Sequence, residues 1–239
     1  MSNEKYDALV NKHSWILEPI ENAVSKIGEM EFFRYLTSVD DIGQLKPIVR
    51  QLFHHSVSFP KSIGLRLAST PIEKGFLYPA FAAHAHDEAN HHLLLFNWMS
   101  ENNLIGSVEE LFKEGANTET NACIDLGYQM AAEEDYEQWI LSVNCSIERC
   151  FLLLFEIMNK KTNDLGFGHE YFSVHVEADN EHIFYGLEFV DKQSSESERG
   201  QFLLKKSFES MAVWTTMVHS WLNIDVKPVF APDGNMISF

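Results

Sequence analysis

The chain has 239 residues, with 18 Lys and Arg against 35 Asp and Glu, so its formal net charge is −17. Phosphate groups and anionic lipids would repel such a charge, which argues against nucleic-acid and membrane-surface partners. The composition, 45% hydrophobic and 22% charged, is typical of a folded globular protein. No apolar run approaches the roughly 18 residues of a membrane span, and the N-terminus lacks a secretory pattern. We therefore expect a cytoplasmic protein with no membrane segment.

The first half of the chain has helical periodicity, with Gly and Pro lying mostly between the periodic stretches. Proline is expected to end a helix that precedes it and to begin the next one. In chain order, the expected helical segments are 5–17, one beginning at Pro19, 48–57, a short piece between Pro60 and Pro71, and 73–102.

The second half continues the same pattern. The expected helical segments are 108–113, one beginning at Thr118, 133–160, 171–191 and 201–223. Residues 225–239 are expected to form an irregular C-terminal tail. No useful length alternates with period two, so no sheet is expected, and no linker or repeat divides the chain. We therefore predict an all-α fold in which residues 1–239 form a single domain.

A first cluster of acidic and histidine residues lies within the segment 84–92. Glu88 precedes His91 by three residues and His92 by four, and it follows His84 by four. Residues three or four apart share one face of a helix, so each of these pairs can meet. The spacing alone leaves both His91 and His92 open as the partner of Glu88.

Two further clusters occur later in the chain. Glu148 interrupts an apolar run, so it is expected near the core, where a carboxylate is costly unless it is paired, protonated or bound to metal. His175, Asp179 and His182 are spaced i, i+4, i+7 and form one line down a helix face. Glu177 and Glu181 are expected to project elsewhere.

Together these clusters predict a metal site between helices. Carboxylates and imidazoles without a thiolate suit iron or manganese better than structural zinc, and helix bundles place dinuclear carboxylate sites between facing helices. Each of the two later clusters also has an interpretation without a metal. The line from His175 to His182 could be a hydrogen-bonded ladder on the surface, and Glu148 could be a salt-bridged interior acid. The remaining histidines of the first cluster are expected in an outer shell or at the surface, and His54 and His55 are read as structural or exposed.

These clusters resemble those of the haem-oxygenase-like diiron oxidases and oxygenases. The resemblance rests on Glu88-x2-His91, on Glu148 sixty residues later, and on the line from His175 to His182. The resemblance covers roughly residues 19–223 and implies a single seven-helix haem-oxygenase-like bundle. Many members carry Glu-x6-His on the first ligand helix, where this chain has Leu95. Glu-x2-His occurs in the branch that resembles the alkene-forming fatty acid decarboxylase, so His91 is favoured over His92. The ligands that the resemblance implies are Glu88, His91, Glu148, His175, Asp179 and His182, with Glu88, Glu148 and Asp179 also acting in catalysis.

The resemblance also implies a reaction. Two Fe(II) ions per chain and O2 as cosubstrate would give a peroxo-diferric species that oxidises a small amino-acid-like substrate, and conversion of a tryptophan derivative to an indole nitrile is one expected outcome. Alternatives are an N-oxygenase, an oxidative decarboxylase or desaturase, and a thiaminase-like non-redox hydrolase, which would need an activated cysteine. Arg149 and Lys74 are the candidates to meet the substrate carboxylate. A homodimer is expected.

Overall fold

The computed structural model describes the backbone of residues 3–238 and the side chains of residues 7–238. The prediction of an all-α fold is confirmed, because helices joined by short turns make up most of this part of the chain. In chain order the α-helices are α1 (Asn3–Gly28), α2 (Glu31–Ser38), α3 (Lys46–Ser69), α4 (Tyr78–Glu88), α5 (His91–Glu101), α6 (Val108–Glu114), α7 (Thr118–Ala132), α8 (Tyr136–Trp139), α9 (Arg149–Asp164), α10 (Glu170–His182) and α11 (Glu198–Ser220).

Several short elements connect these helices. A π-helical segment, Ile140–Glu148, joins α8 to α9. Turns of 3₁₀-helix occur at Ile42–Leu45, Ile72–Leu77 and Leu187–Phe189, and the two strands are β1 (Val229–Phe230) and β2 (Met236–Ser238). Among the described residues, no helix combines the length and the apolarity needed to cross a membrane.

The prediction that Pro19 and Pro60 separate helices is wrong, because α1 and α3 continue through them. A proline inside a helix removes one hydrogen bond and crowds the preceding turn. Buried apolar residues on both sides of each proline offset that cost: Ile16 and Ile20 flank the first proline, and Phe53 and Ile63 flank the second. Packing of a continuous apolar face therefore overrides the local helix-breaking tendency.

Other expected helices are interrupted, and the described part of the chain has more helical segments than the seven-helix bundle that the resemblance implies. The segment 73–102 divides directly after Glu88, and α5 begins at His91. The segment 171–191 ends as a helix at His182, and Gly186 then adopts a left-handed conformation with φ of 81°. Glycine takes this conformation without the steric cost that a side chain brings, and so it turns the chain.

The expected tail and the absence of a sheet need correction as well. Strands β1 and β2 pair antiparallel in a short hairpin. The tail is anchored to α1, where Asn22 Nδ2 donates to the carbonyl oxygen of Asp233 at 2.9 Å, and to α11, where Phe230 packs on Phe208. Phe239 lies outside the described residues.

The core positions four parts of the chain around one point. Helix α3 packs against α4 and α5, while α10 packs against α9, α5 and the π-helical segment. All nine residues of the π-helical segment are buried. Within it, Ser146 Oγ donates to the carbonyl oxygen of Leu141, five residues earlier, at 2.7 Å. Glu148, the last residue of this segment, consequently enters the interior beside α10.

Candidate metal centre

All six residues proposed as ligands are buried, with exposed fractions of 1–8%. They come from the end of α4, the start of α5, the end of the π-helical segment and the inward face of α10. Their ligand-type atoms approach within 4.8 Å of one another in three overlapping groups, which include one further histidine. The groups are His84, Glu88 and His182; Glu88, His91 and His175; and Glu148, Asp179 and His182.

Glu88 belongs to two of the groups. Its Oε2 lies 2.9 Å from His91 Nδ1, and its Oε1 lies 3.3 Å from His182 Nδ1. The rings of His91 and His175 are 4.2 Å apart between centroids. His92 is half-buried and belongs to none of the groups found among the described residues. The geometry therefore places His91, not His92, with the other acids and imidazoles.

Glu148 occupies the opposite side of the cluster. Its Oε1 lies 2.8 Å from His84 Nε2, and its Oε2 lies 3.4 Å from His182 Nδ1. These contacts have the distances of ion pairs but lack hydrogen-bond geometry, so several buried polar atoms have no hydrogen-bond partner. They are both ring nitrogens of His84, both carboxylate oxygens of Glu148, Oδ2 of Asp179 and Nδ1 of His182.

Such unpartnered atoms are the test of whether the residues fit a metal ion. Buried polar groups are nearly always hydrogen-bonded, and leaving several of them unpaired in one place is costly. A cation bound among them would satisfy oxygen and nitrogen lone pairs together. The donor set of carboxylates and imidazoles, with no thiolate in any of the three groups, also matches the preference of iron. The residues therefore fit the iron that the resemblance implies.

His84 is a further candidate that the structure adds to the six. Of its two expected positions, an outer shell or the surface, the surface is excluded, because His84 is fully buried and lies beside Glu148. The available signal was its position four residues before Glu88, on the same helix face. His86, two residues later, points to solvent, as expected. His55, which was read as structural or exposed, is buried and lines a cavity beside the cluster.

The buried carboxylates next to histidine remain ionised. Burial by itself would raise the pKa of Glu88, but contacts with His182 and His91 hold it well below the usual carboxyl value. Burial likewise opposes ionisation of Glu148, yet the imidazoles of His84 and His182 lower its pKa. Burial would lower the pKa of His182, but Glu148 and Glu88 raise it to about 11. Without a metal, a protonated His182 thus balances part of the charge of two glutamates.

The surroundings of the other two α10 residues, Asp179 and His175, favour their uncharged forms. Burial, together with the charges of Glu148 and Glu88, raises the pKa of Asp179 well above its usual value. Burial lowers the pKa of His175 to about 4, which keeps its imidazole neutral. The exposed acids Glu177 and Glu181 face away from the cluster, as expected. The interpretation of this line as a surface ladder is wrong, because its members are buried.

A cavity of ≈ 20 Å³ adjoins the cluster, enough for about one water molecule. Aromatic side chains form much of its wall, including Phe59, Phe151 and Phe155. A second cavity of ≈ 20 Å³ shares His55 and Phe59 with the first and is also lined by Val143 and Ile147 of the π-helical segment. No Lys or Arg is among the described residues that line either cavity.

Neither candidate for binding a substrate carboxylate is among the residues that line these cavities. Arg149 is held by Glu21, with Nε 2.6 Å from the carboxylate. Lys74 sits over the rings of Phe76 and Tyr136, at 5.9 and 5.2 Å from their centroids. Both cations therefore serve other contacts in this structure.

The fold and the site define the general class of this protein: an all-α bundle with a buried centre of carboxylates and imidazoles that fits a metal ion. The family described as iron-containing redox enzymes matches residues 46–214, and the chain belongs to it. Searching the curated proteins finds no match.

Two solved structures are similar in fold. One is a TenA homologue from Pseudomonas syringae pv. tomato DC3000, with 15% identity, a TM-score of 0.66, and coverage of 90% of this chain and 92% of that one. The other is a domain of unknown function with a haem-oxygenase-like fold from Shewanella denitrificans OS217, with 16% identity, a TM-score of 0.56, and coverage of 85% and 88%. At such identities the likeness concerns the fold alone, and it confirms the haem-oxygenase-like prediction.

Proposed function

We propose that the chain is a non-haem diiron oxidase or oxygenase that uses O2 to oxidise a small amino-acid-like substrate. The observation that carries this proposal is the convergence of three carboxylates and four imidazoles in the interior, with six of their polar atoms lacking hydrogen-bond partners. Membership of an iron-containing redox family supports it independently.

The proposed ligands are Glu88, His91, Glu148, His175, Asp179 and His182, and His84 is close enough to join them. Iron(II) bound there would supply the redox chemistry by which O2 is used. The chain's own residues prepare this site. Glu88 and Glu148 provide ionised carboxylates. The two oxygens of Glu88 approach different histidines, His91 and His182, so this carboxylate would help to hold the metal beside both. The three residues proposed to act in catalysis as well as in binding are Glu88, Glu148 and Asp179.

The aromatic wall has two effects on the proposed reaction. It excludes bulk water from the centre, because Phe151 and Phe155 are almost completely buried and Phe155 packs 4.0 Å from the His175 ring centroid. It also limits the room, since the two cavities together hold only about two water molecules. An indole-sized substrate would therefore require side chains such as His55 and Phe59, which line both cavities, to move.

The substrate itself is the narrower part of the proposal. Conversion of a tryptophan derivative to an indole nitrile is the reaction we favour, with N-oxygenation and oxidative decarboxylation or desaturation as alternatives. The lack of a lysine or arginine in the described cavity walls means that a substrate carboxylate would find its positive charge at the metal centre. Amino-acid-like molecules would then bind with the carboxylate end beside the reacting groups.

A thiaminase-like hydrolase is supported less well. That chemistry needs a reactive thiolate. Cys145, three residues before Glu148 in the π-helical segment, is buried, and its Sγ lies 3.2 Å from the carbonyl oxygen of Ile183. Burial and the charge of Glu148 raise the pKa of this thiol. Burial raises the pKa of Cys123 and Cys150 as well, so none of the three is prepared as a nucleophile.

The test is iron stoichiometry after anaerobic loading with Fe(II), followed by optical spectra on adding O2 with and without tryptophan-like amino acids. We expect two irons per chain and a transient visible band that depends on one of the amino acids. Glu148→Ala should lose iron and activity while keeping its helicity, whereas Glu156→Ala, an exposed acid of α9, is the matched control. Full activity in Glu148→Ala would refute the assignment, and a chain that retains zinc without any response to O2 would favour a non-redox function.

A further inference from the structure

We infer that Asp87 is a positioning residue that orients His182 so that this histidine binds metal through Nδ1. The inference rests on the proposed function, because it concerns a ligand of the proposed centre. It adds a carboxylate that belongs to none of the three groups of ligand-type residues and lies at the edge of the site.

The contacts of the His182 ring differ on its two sides. Nδ1 faces the interior and lies 3.3 Å from Glu88, 3.4 Å from Glu148 and 3.8 Å from Asp179. Nε2 faces outward and lies 3.5 Å from Oδ2 of Asp87. A neutral imidazole carries a hydrogen on one nitrogen and a lone pair on the other. With its hydrogen on Nε2 and directed at Asp87, the ring presents the Nδ1 lone pair to the centre.

Asp87 is itself held in place. The hydroxyl of Tyr185 donates to the same Oδ2 at 3.3 Å. The Tyr185 ring packs 4.9 Å from that of His182 and 5.6 Å from that of His84, measured between centroids. The Asp87 side chain is 39% exposed, so this link runs from the buried centre to solvent. Its polar atoms form a chain from the Tyr185 hydroxyl through Asp87 to His182.

The neighbouring ligand on α10 has the opposite arrangement. His175 Nδ1 lies 2.6 Å from the carbonyl oxygen of Tyr171, to which it donates, and this leaves Nε2 as the nitrogen free to bind metal. The hydrogen bond made by one ring nitrogen decides which nitrogen is metallated. Two histidines of one helix are thus expected to bind through different nitrogens, one fixed by a backbone carbonyl and the other by Asp87.

The experiment uses the full chain loaded with Zn(II), which is redox-inactive, and measures affinity by competition with a chromophoric chelator. Loss of such an outer partner typically weakens metal binding about 10–100-fold. We expect a loss in that range for Asp87→Ala and a smaller loss for Asp87→Asn, which retains an accepting oxygen. Tyr185→Phe should also lose less, because it removes only the link to Asp87. Glu181→Ala is the control, since it removes the same charge from an exposed position beside His182 in sequence.

A second measurement tests orientation directly. Two-bond ¹H–¹⁵N spectra of the ¹⁵N-histidine-labelled, Zn(II)-loaded chain should give His182 as Nδ1-bound with a hydrogen on Nε2, and His175 as the reverse. Asp87→Ala should lose or mix the His182 pattern and leave that of His175 unchanged. Coordination of His182 through Nε2, or an Asp87→Ala variant with wild-type affinity and pattern, would overturn this inference alone. A wild-type chain that binds no divalent metal would overturn the proposed centre and this inference with it.

Discussion

Metal binding at this site should release protons in a pH-dependent way. In the metal-free chain His182 is protonated, because its pKa is raised to about 11, and Asp179 is held partly or fully as the neutral acid by its raised pKa. Both must lose a proton to become ligands. Glu88 and Glu148 are already ionised, and His175, with a pKa of about 4, is already neutral, so these three contribute none at neutral pH.

The magnitude follows from these states. His182 should release about one proton per chain across the range from about pH 7 to pH 9, far below its pKa. Asp179 should add a share that grows as the pH falls. Ordinary surface histidines, with a pKa near 6.5, would release almost nothing above about pH 8.

The assay is Zn(II) titration of the metal-free chain in weak buffer with a pH-indicator dye, checked by calorimetry in buffers of different ionisation enthalpy. Asp179→Asn should remove the part that grows in acid and keep the constant proton of His182. Glu177→Gln, an exposed acid on the same helix, should behave as the wild type. Tight binding at pH 8.5 without release of about one proton would refute the assigned charge states.

Three further outcomes test other parts of the structure. In the metal-free chain the raised pKa of His182 should stabilise the fold most below about pH 6.5, and this contribution should fade as the pH rises toward about 11. The midpoints of urea unfolding should follow that trend, and His182→Gln should flatten it. His91→Ala should lower iron occupancy and His92→Ala should not, as metal analysis after desalting would reveal. Gly186→Ala should lower the free energy of unfolding in urea by about 1–2 kcal/mol, because φ is 81° there. Gly64→Ala, in a helix with free space around the new methyl group, should raise it by roughly 0.5–1 kcal/mol. Equal effects of the two substitutions would contradict the backbone argument.

The parts of the site that sequence could predict are those that depend on local spacing. His175, Asp179 and His182 lie on one regular helix, so their i, i+4, i+7 spacing was enough to place them together. Glu148 could be expected near the core from its apolar neighbours, and it is buried. In each case one element carries the whole pattern.

The parts that sequence could not give depend on contacts between elements. His84 becomes important only because Glu148, from a distant segment, comes within 2.8 Å of it. The break after Glu88 occurs without a Gly or Pro, so composition did not signal it. Continuation of α1 and α3 through proline depends on apolar burial along both helices, which outweighs a local cost that sequence rules treat as decisive.

The π-helical segment makes the position of Glu148 depend on the number of residues before it. A wide turn of this kind accommodates more residues than the same length of α-helix, because its hydrogen bonds reach five residues along the chain instead of four. If the same residues formed an ordinary α-helix instead, one flank would rotate by about 100° relative to the other. The glutamate would then leave the centre although no ligand had been replaced. Homologous chains that share the site should therefore either keep this wide turn or replace it by ordinary α-helix with about one residue fewer.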